Sequence, residues 1–367
     1  MKRAVLVAAL AACVVSSTAT AAPKRPWLWQ CEGIGLETAK FQCYVRLLLQ
    51  DVDASGDPAR ELPRIDRRAR AAGTSLEGMC HVLMHEVGRR YAREHHVTLE
   101  NLQRYVPQSN DPGCSAGFGM GLVMALGPEL IRTQGRSAVA TCEHLATRYR
   151  SYTCLHSLGH ALMRGYHEAL PLAVASCRKL GPRVAPDCAQ GAFHDYWIAL
   201  RGADDTTPLK RGARSARTLC ARYANFARGC WYRFFVEDPL GPAIASAADI
   251  ERVCHGLRGV QRSGCVAAAS LVLPDGPLQQ HAVCARLDAT DAVSCLRGVH
   301  VQDVPEDRRL ALIRRCGGIG RACYEWYGRT LAVVTNGRFR CSRLAEPGRS
   351  WCAAGARREG DPLVTFS

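Results

Sequence analysis

The sequence predicts an all-α protein, a superhelical α-hairpin repeat (α-solenoid) of about nine to ten two-helix units stapled by disulfides within each repeat. Three observations predict this fold. Cysteines recur in close pairs at a regular interval, the segments that follow them carry apolar residues at helical spacing, and turn-forming residues lie between the paired cysteines.

The cysteines set the length of the repeat. The second cysteine of successive units recurs about every 34 residues from Cys43 to Cys352, which is the length of a two-helix repeat. Of the 19 cysteines, Cys13 lies in a predicted signal peptide, and the remaining even number favours disulfide bonds in an exported chain. The predicted close pairs are Cys31 with Cys43, Cys142 with Cys154, Cys177 with Cys188, Cys220 with Cys230, Cys254 with Cys265, Cys284 with Cys295, Cys316 with Cys323, and Cys341 with Cys352.

Cys80 and Cys114 depart from this pattern, because each is expected at the start of a second helix without a partner shortly before it. A bond between them would join neighbouring units and requires Cα atoms within about 7 Å. The glycines at 117, 119 and 121 would allow so close an approach. The alternative is that one or both cysteines are free thiols or metal ligands.

The segments around each pair predict helices joined by tight loops. CLHSLGHALMRGY and CAQGAFHDYWIAL are apolar at three- and four-residue spacing, as amphipathic helices require. LGPRVAPD and RLAEPGRSW, which lie between paired cysteines, are turn signals. A disulfide that closes a loop of about 11 residues should stabilise each hairpin by about 2 to 3 kcal/mol. Because only 7% of the residues are aromatic, these bonds are expected to replace part of a large core.

The N-terminus predicts export to the periplasm or secretion. Lys2 and Arg3 precede a short apolar run, and residues 19–21 form an A-x-A cleavage site, so residues 1–21 are read as a signal peptide. The alternative is a lipoprotein signal that leaves Cys13 acylated. The remaining predicted organisation is an extended leader (22–30), a single repeat domain (31–352) with a histidine-bearing half (76–200) and a structural half (201–352), and a C-terminal tail (353–367).

The net charge of +15, to which Lys2 and Arg3 contribute two charges, favours a protein or acidic-polymer partner such as an anionic glycan. Scattered arginines without interleaved aromatic residues argue against nucleic acid. No later segment approaches the roughly 18 apolar residues of a spanning helix, so no transmembrane segment is expected. The sequence leaves the oligomeric state open.

A duplicated motif, HxxxHxxxxxY, follows Cys80 and Cys154. Histidines four residues apart share one helix face, so that both rings can reach one metal ion. In the following unit, His194 has the same offset from Cys188 as the second histidine of the motif has from Cys154. The predicted metal ligands are therefore His81, His85, His156, His160 and His194.

Among these histidines, His156, His160 and His194 form the preferred site, because the unit opened by Cys114 separates the first motif from the second. Two helix layers of about 9 Å each would hold the motifs apart. The first motif is then a second site or a pair lining the same space. Three nitrogen ligands with an open position suit Zn²⁺, and Cu²⁺ or Fe²⁺ would also fit.

Two carboxylates extend the prediction to catalysis. Glu86 or Asp195 would serve as general base for a metal-activated water. Together with His167, they could instead bind the metal or orient the imidazoles. The structural alternative is that the histidines only bond to neighbouring carbonyls, to Tyr91 or to Tyr166. No HExxH, GxSxG, CxxC or phosphate-binding loop occurs.

The cysteine spacing and the recurrent "C…GC" of CARYANFARGC and CHGLRGVQRSGC resemble the Sel1-like helical cysteine-rich repeat proteins over residues 31–352. The glycine and tyrosine consensus of that class is absent, and the cysteines lie a few residues further apart. The resemblance implies a curved scaffold that acts by binding partners. Three hypotheses follow: a metal-binding protein with hydrolytic or redox chemistry, a non-catalytic scaffold for a protein or glycan, and a redox protein that uses Cys80 and Cys114.

Overall fold

The computed structural model describes residues 27–107, 113–133, 136–144, 148–199, 213–237, 243–274, 276–299, 301, 304–335 and 339–357. The predicted signal peptide, Cys13, most of the leader and the end of the tail lie outside these residues. The described part is all-helical and contains no strand. Its α-helices are α1 (Trp29–Glu32), α2 (Glu37–Ser55), α3 (Pro58–Ala72), α4 (Thr74–Glu94), α5 (Cys114–Ala125), α6 (Gly127–Arg132), α7 (Arg136–Glu143), α8 (Arg148–Gly165), α9 (Leu170–Lys179), α10 (Ala185–Ala199), α11 (Ala213–Arg222), α12 (Ala227–Glu237), α13 (Ala247–Cys254), α14 (Gly259–Leu271), α15 (Pro277–Cys284), α16 (Ala289–Leu296), α17 (Glu306–Arg314), α18 (Arg321–Val334) and α19 (Gly348–Ala356).

Several helices begin at capping residues in the sequence. Asp57 precedes α3 and accepts the backbone N–H of Arg60, with Pro58 at the first helical position. Asp288 caps α16 in the same way. Helix α1 begins at Trp29 and therefore includes the last two residues of the predicted leader.

All the predicted close cysteine pairs are disulfide bonds, and Cys80 is bonded to Cys114 with their Cα atoms 5.0 Å apart. The disulfide bonds and the helical repeats are therefore confirmed. Neither Cys80 nor Cys114 is a free thiol or a metal ligand. Nine disulfides are typical of proteins in an oxidising, extracellular environment.

A cysteine that was expected to open a second helix does not always begin that helix. Cys80 lies in the second turn of α4, and Cys295 is the penultimate residue of α16. The start of α16 is set by its cap, Asp288, which accepts the backbone N–H groups of Thr290 and Asp291. A cysteine only has to face the helix that carries its partner, so its place along its own helix can vary.

The second helices of successive units pack on one another in chain order: α4 on α5, α5 on α8, α8 on α10, α10 on α12, α12 on α14, α14 on α16, α16 on α18, and α18 on α19. The contact between α8 and α10 is made by backbone. A Cβ atom on Gly159 would lie 2.0 Å from the carbonyl oxygen of Cys188, and one on Gly191 would lie 1.9 Å from that of His156. Side chains that flank these glycines are therefore brought together across the two helices.

Among the described helices, none combines the length and the apolar composition that crossing a bilayer requires.

Candidate metal centre

Three imidazoles meet where α8 packs against α10. His156 and His160 lie one turn apart on α8, and His194 comes from α10. The Nε2 atoms of His156 and His160 are 3.1 Å apart, and the Nδ1 atom of His194 lies 3.3 Å and 3.2 Å from them, respectively. A tetrahedral Zn²⁺ with Zn–N bonds of about 2.0–2.1 Å places its nitrogen ligands about 3.3 Å apart. The spacing of the three nitrogens therefore matches one tetrahedral metal ion.

The centre is buried, and two of its three histidines are biased toward the neutral form. His156 and His160 are each 1% exposed. Burial lowers the pKa of His156 and of His194 well below the usual value, and the charge of Arg233 lowers both further. Neutral imidazole is the form that binds a metal ion.

Two carboxylates orient the outward nitrogens of this cluster. The Nδ1 atom of His160 lies 2.8 Å from Asp195 Oδ1, and the Nε2 atom of His194 lies 3.0 Å from Glu237 Oε1. A carboxylate accepts an N–H, so the proton of each ring belongs on its outward nitrogen. The inward nitrogens of His160 and His194 then carry lone pairs that face each other at 3.2 Å. A bound cation would stabilise this arrangement.

Asp195 therefore contacts the nitrogen of His160 that faces away from the other two histidines. Its carboxylate is also 3.9 Å from Arg164. Glu86, the other predicted base, forms ion pairs with Arg89 and with Arg90, the latter at 2.9 Å. The contact with His160 favours an orienting role for Asp195. The two arginines hold the carboxylate of Glu86 against α4, the helix that carries it.

The other predicted neighbours lie elsewhere. His167 is exposed in the turn that follows α8, with a φ of 51°. Tyr91 stacks on His95 with the ring centroids 3.9 Å apart, and the hydroxyl of Tyr166 bonds to Ser176 at 2.9 Å. The tyrosines of the duplicated motif are thus engaged outside the histidine cluster.

The first motif lies much closer to the centre than expected. The rings of His85 and His160 are 5.9 Å apart between centroids, so the predicted separation by two full helix layers is wrong. The reason is the close packing of α4 and α5. A Cβ atom on Gly117 or Gly121 would lie 2.1 Å or 2.2 Å, respectively, from a backbone oxygen of α4. His81 also joins this group, with its Nε2 atom 3.1 Å from that of His85.

Sequence reasoning missed three side chains at the site. Glu237 and Arg233 come from α12, in the half predicted to be structural, and Arg233 Nη2 lies 3.4 Å from His156 Nε2. The sulfur of Met120 lies 3.3 Å from His85 Nε2. Two of the three, Glu237 and Met120, follow a pattern in the sequence. Asp195 and Glu237 each stand at the same offset from the second cysteine of their units, and Met120 shares the offset of His160 and His194.

Within the described residues, His156, His160 and His194 are the group of histidine, cysteine or acidic side chains placed to hold a metal ion, with ligand atoms within 4.8 Å of one another. No protein-family model matches the sequence, and no curated protein or solved structure is significantly similar to it. The geometry of this cluster is therefore the basis for assigning a function.

Proposed function

We propose that this chain is an exported metal-binding protein that holds one transition-metal ion at His156, His160 and His194. The convergence of three ring nitrogens at 3.1–3.3 Å carries the proposal. The carboxylates behind two of the rings support it, since metal-binding histidines usually donate their other N–H to such an acceptor.

Zn²⁺ is the proposed ion, because three imidazoles leave one tetrahedral position open for water or an anion. Cu²⁺ and Fe²⁺ accept the same donors. Arg233 lies beside the centre and is 3.5 Å from Glu237. Its positive charge favours an anionic fourth ligand over a neutral one.

The arrangement supports metal binding more directly than hydrolysis. A metal-activated water needs a base near the open position, whereas Asp195 and Glu237 both contact the outward nitrogens. We therefore assign these carboxylates as positioning residues. Hydrolytic or redox chemistry would depend on what occupies the fourth position.

The scaffold around the centre is proposed to be an α-solenoid of disulfide-bonded hairpins, similar to the Sel1-like class. The chain-order packing of second helices supports this arrangement, and the disulfides together with the predicted signal peptide support export. The alternative function is a non-catalytic scaffold for a protein or an anionic glycan, which the net charge of +15 supports. Metal content distinguishes the two functions.

Replacement of two ligands should remove the metal. Protein purified from an oxidising compartment without chelators is expected to carry one equivalent of Zn²⁺, and His156→Ala with His160→Ala should reduce the Zn²⁺ content to about a tenth or less, because one imidazole cannot hold the ion. Elemental analysis measures the content. His255→Ala, at an exposed histidine on the C-terminal side of α13, is the control. Equal metal in the double variant and the control would contradict the proposal.

Loss of an orienting carboxylate should weaken binding without abolishing it. Asp195→Asn or Glu237→Gln is expected to raise the Kd for Zn²⁺ about 10- to 100-fold, because the ligand ring loses its charged acceptor. Competition with a chromophoric chelator measures the Kd. Asp249→Asn, at the start of α13, is the matched control. An unchanged Kd in both variants would show that the carboxylates do not act through the histidines.

A further inference from the structure

We infer that His81, His85 and Met120 form a second metal site, with two nitrogen donors and one thioether, that takes Cu(I). This site shares no ligand with the proposed Zn²⁺ centre and goes beyond its function. The donors come from α4 and α5, the two helices that the Cys80–Cys114 disulfide joins.

The inward nitrogens of the two histidines are in contact. His81 Nδ1 lies 3.2 Å from the carbonyl oxygen of Gly113. A carbonyl only accepts, so the ring proton belongs on Nδ1 and the Nε2 atom of His81 carries a lone pair. That atom lies 3.1 Å from His85 Nε2. The Gly113 carbonyl therefore accepts the N–H of His81 and orients its ring, as the carboxylates orient the rings of the first centre.

The thioether of Met120 also contacts His85. Met120 is 7% exposed, and its sulfur lies 3.3 Å from His85 Nε2. His85 Nε2 is thus within 3.3 Å of both a nitrogen and a sulfur donor.

The chemistry of these donors selects the ion. Thioether sulfur is a soft ligand that favours Cu(I), whereas Mg²⁺ and Ca²⁺ require oxygen ligands. Glu86, which follows His85 in the sequence, is ion-paired with Arg89 and Arg90. Two imidazoles and one thioether form a neutral set that suits a monovalent, three-coordinate ion.

The backbone holds the donors in this arrangement. A Cβ atom on Gly121 would lie 2.2 Å from the carbonyl oxygen of His85, and one on Gly117 would lie 2.1 Å from that of His81. The backbone of each histidine in this pair therefore packs against a glycine of α5. Met120 immediately precedes Gly121, so the contact between Gly121 and the backbone of His85 also brings the sulfur of Met120 close to His85.

The test measures Cu(I) affinity of the full-length, oxidised protein by competition with bathocuproine disulfonate. Ascorbate under anaerobic conditions keeps copper reduced and leaves the disulfides intact. Met120→Leu retains the size and the apolar character of the side chain, and is expected to weaken Cu(I) binding about tenfold or more. His81→Ala with His85→Ala should abolish it. Met79→Leu, at an exposed methionine of α4, is the matched control and should bind as the parent does.

X-ray absorption of the Cu(I) protein gives an independent readout. A Cu–S scattering shell is expected in the parent and in Met79→Leu, and it should be absent in Met120→Leu. A spectrum without sulfur in the parent, or equal affinity of the parent and Met120→Leu, would overturn the inference and leave Met120 as a packing residue against an aromatic ring.

Failure of this inference is distinguishable from failure of the Zn²⁺ proposal. The His156→Ala and His160→Ala variant should lose its Zn²⁺ equivalent and keep the Cu(I) affinity of the parent. If that variant instead loses Cu(I) as the His81→Ala and His85→Ala variant does, copper binds at the first centre and the second site is refuted. Far-ultraviolet circular dichroism confirms that each variant is folded.

Discussion

Gly117→Ala is expected to lower the free energy of unfolding by about 3 kcal/mol or more, the upper range for overpacking a tight contact. A Cβ at this position would lie 2.1 Å from the carbonyl oxygen of His81, and 2.9 Å and 3.0 Å from its carbonyl carbon and Cα atoms. These atoms are backbone and cannot rotate away as a side chain can. The helices α4 and α5 must therefore separate to admit one methyl group.

Gly119→Ala is the matched control, two residues further along α5. Its added Cβ would meet only side-chain atoms of Pro107, the nearer at 3.3 Å. Alanine is preferred over glycine inside a helix by about 0.5–1 kcal/mol, so this variant should stay within about 1 kcal/mol of the parent. Urea unfolding followed by circular dichroism measures both variants. Equal stability of the two would show that α4 and α5 are further apart than the structure has them.

Removal of the Cys80–Cys114 bond is expected to cost about 4 kcal/mol, more than the loss of any hairpin disulfide. The bond joins residues 34 apart in sequence, against 7 to 12 for the others. In the chain-entropy model, the stabilisation rises with loop length, to about 4 kcal/mol for this loop and about 3 kcal/mol for a loop of 11. The variant is Cys80→Ala with Cys114→Ala.

The control for this prediction is Cys284→Ala with Cys295→Ala, which opens a separation of 11 residues between α15 and α16. Hydrogen exchange separates a local effect from a global one, because amides of a loosened element exchange by local opening. Without the Cys80–Cys114 bond, amides of α4 should exchange faster while those of α14 stay protected. Equal destabilisation of both double variants, with α4 still protected, would contradict the assigned role of this bond.

The hairpin disulfides could be predicted because they are local. Two cysteines separated by a tight turn between antiparallel helices have only each other within reach, so the pairing of Cys177 with Cys188 follows from their spacing. The pairing of His156 with His160 was predictable for the same kind of reason, since the helix repeat places residues four apart on one face.

The start of each helix was less predictable from the cysteines. Cys295 was expected to begin a helix and instead lies near the end of α16. Local capping at Asp288 decides where that helix begins. The cysteine spacing constrains only which helix faces meet.

The helical class, the disulfide pairing within hairpins and the identity of the histidines that could meet follow from the sequence alone. The distance between the two histidine motifs follows only from the packing of the helices. That distance depends on how closely α4 and α5 pack. At Gly117 and Gly121 the backbones of the two helices are in contact, which shortens the distance.

Tertiary structure also decided the roles of the side chains around the histidines. Asp195 contacts His160 from the next unit, and Glu237 contacts His194 from the unit after that. Met120 meets His85 across the boundary between α4 and α5. Each contact joins residues more than 30 positions apart, so it exists only once the second helices are stacked in order. The recurrent offset from the cysteine marks these side chains in the sequence, but it does not say which histidine each of them contacts.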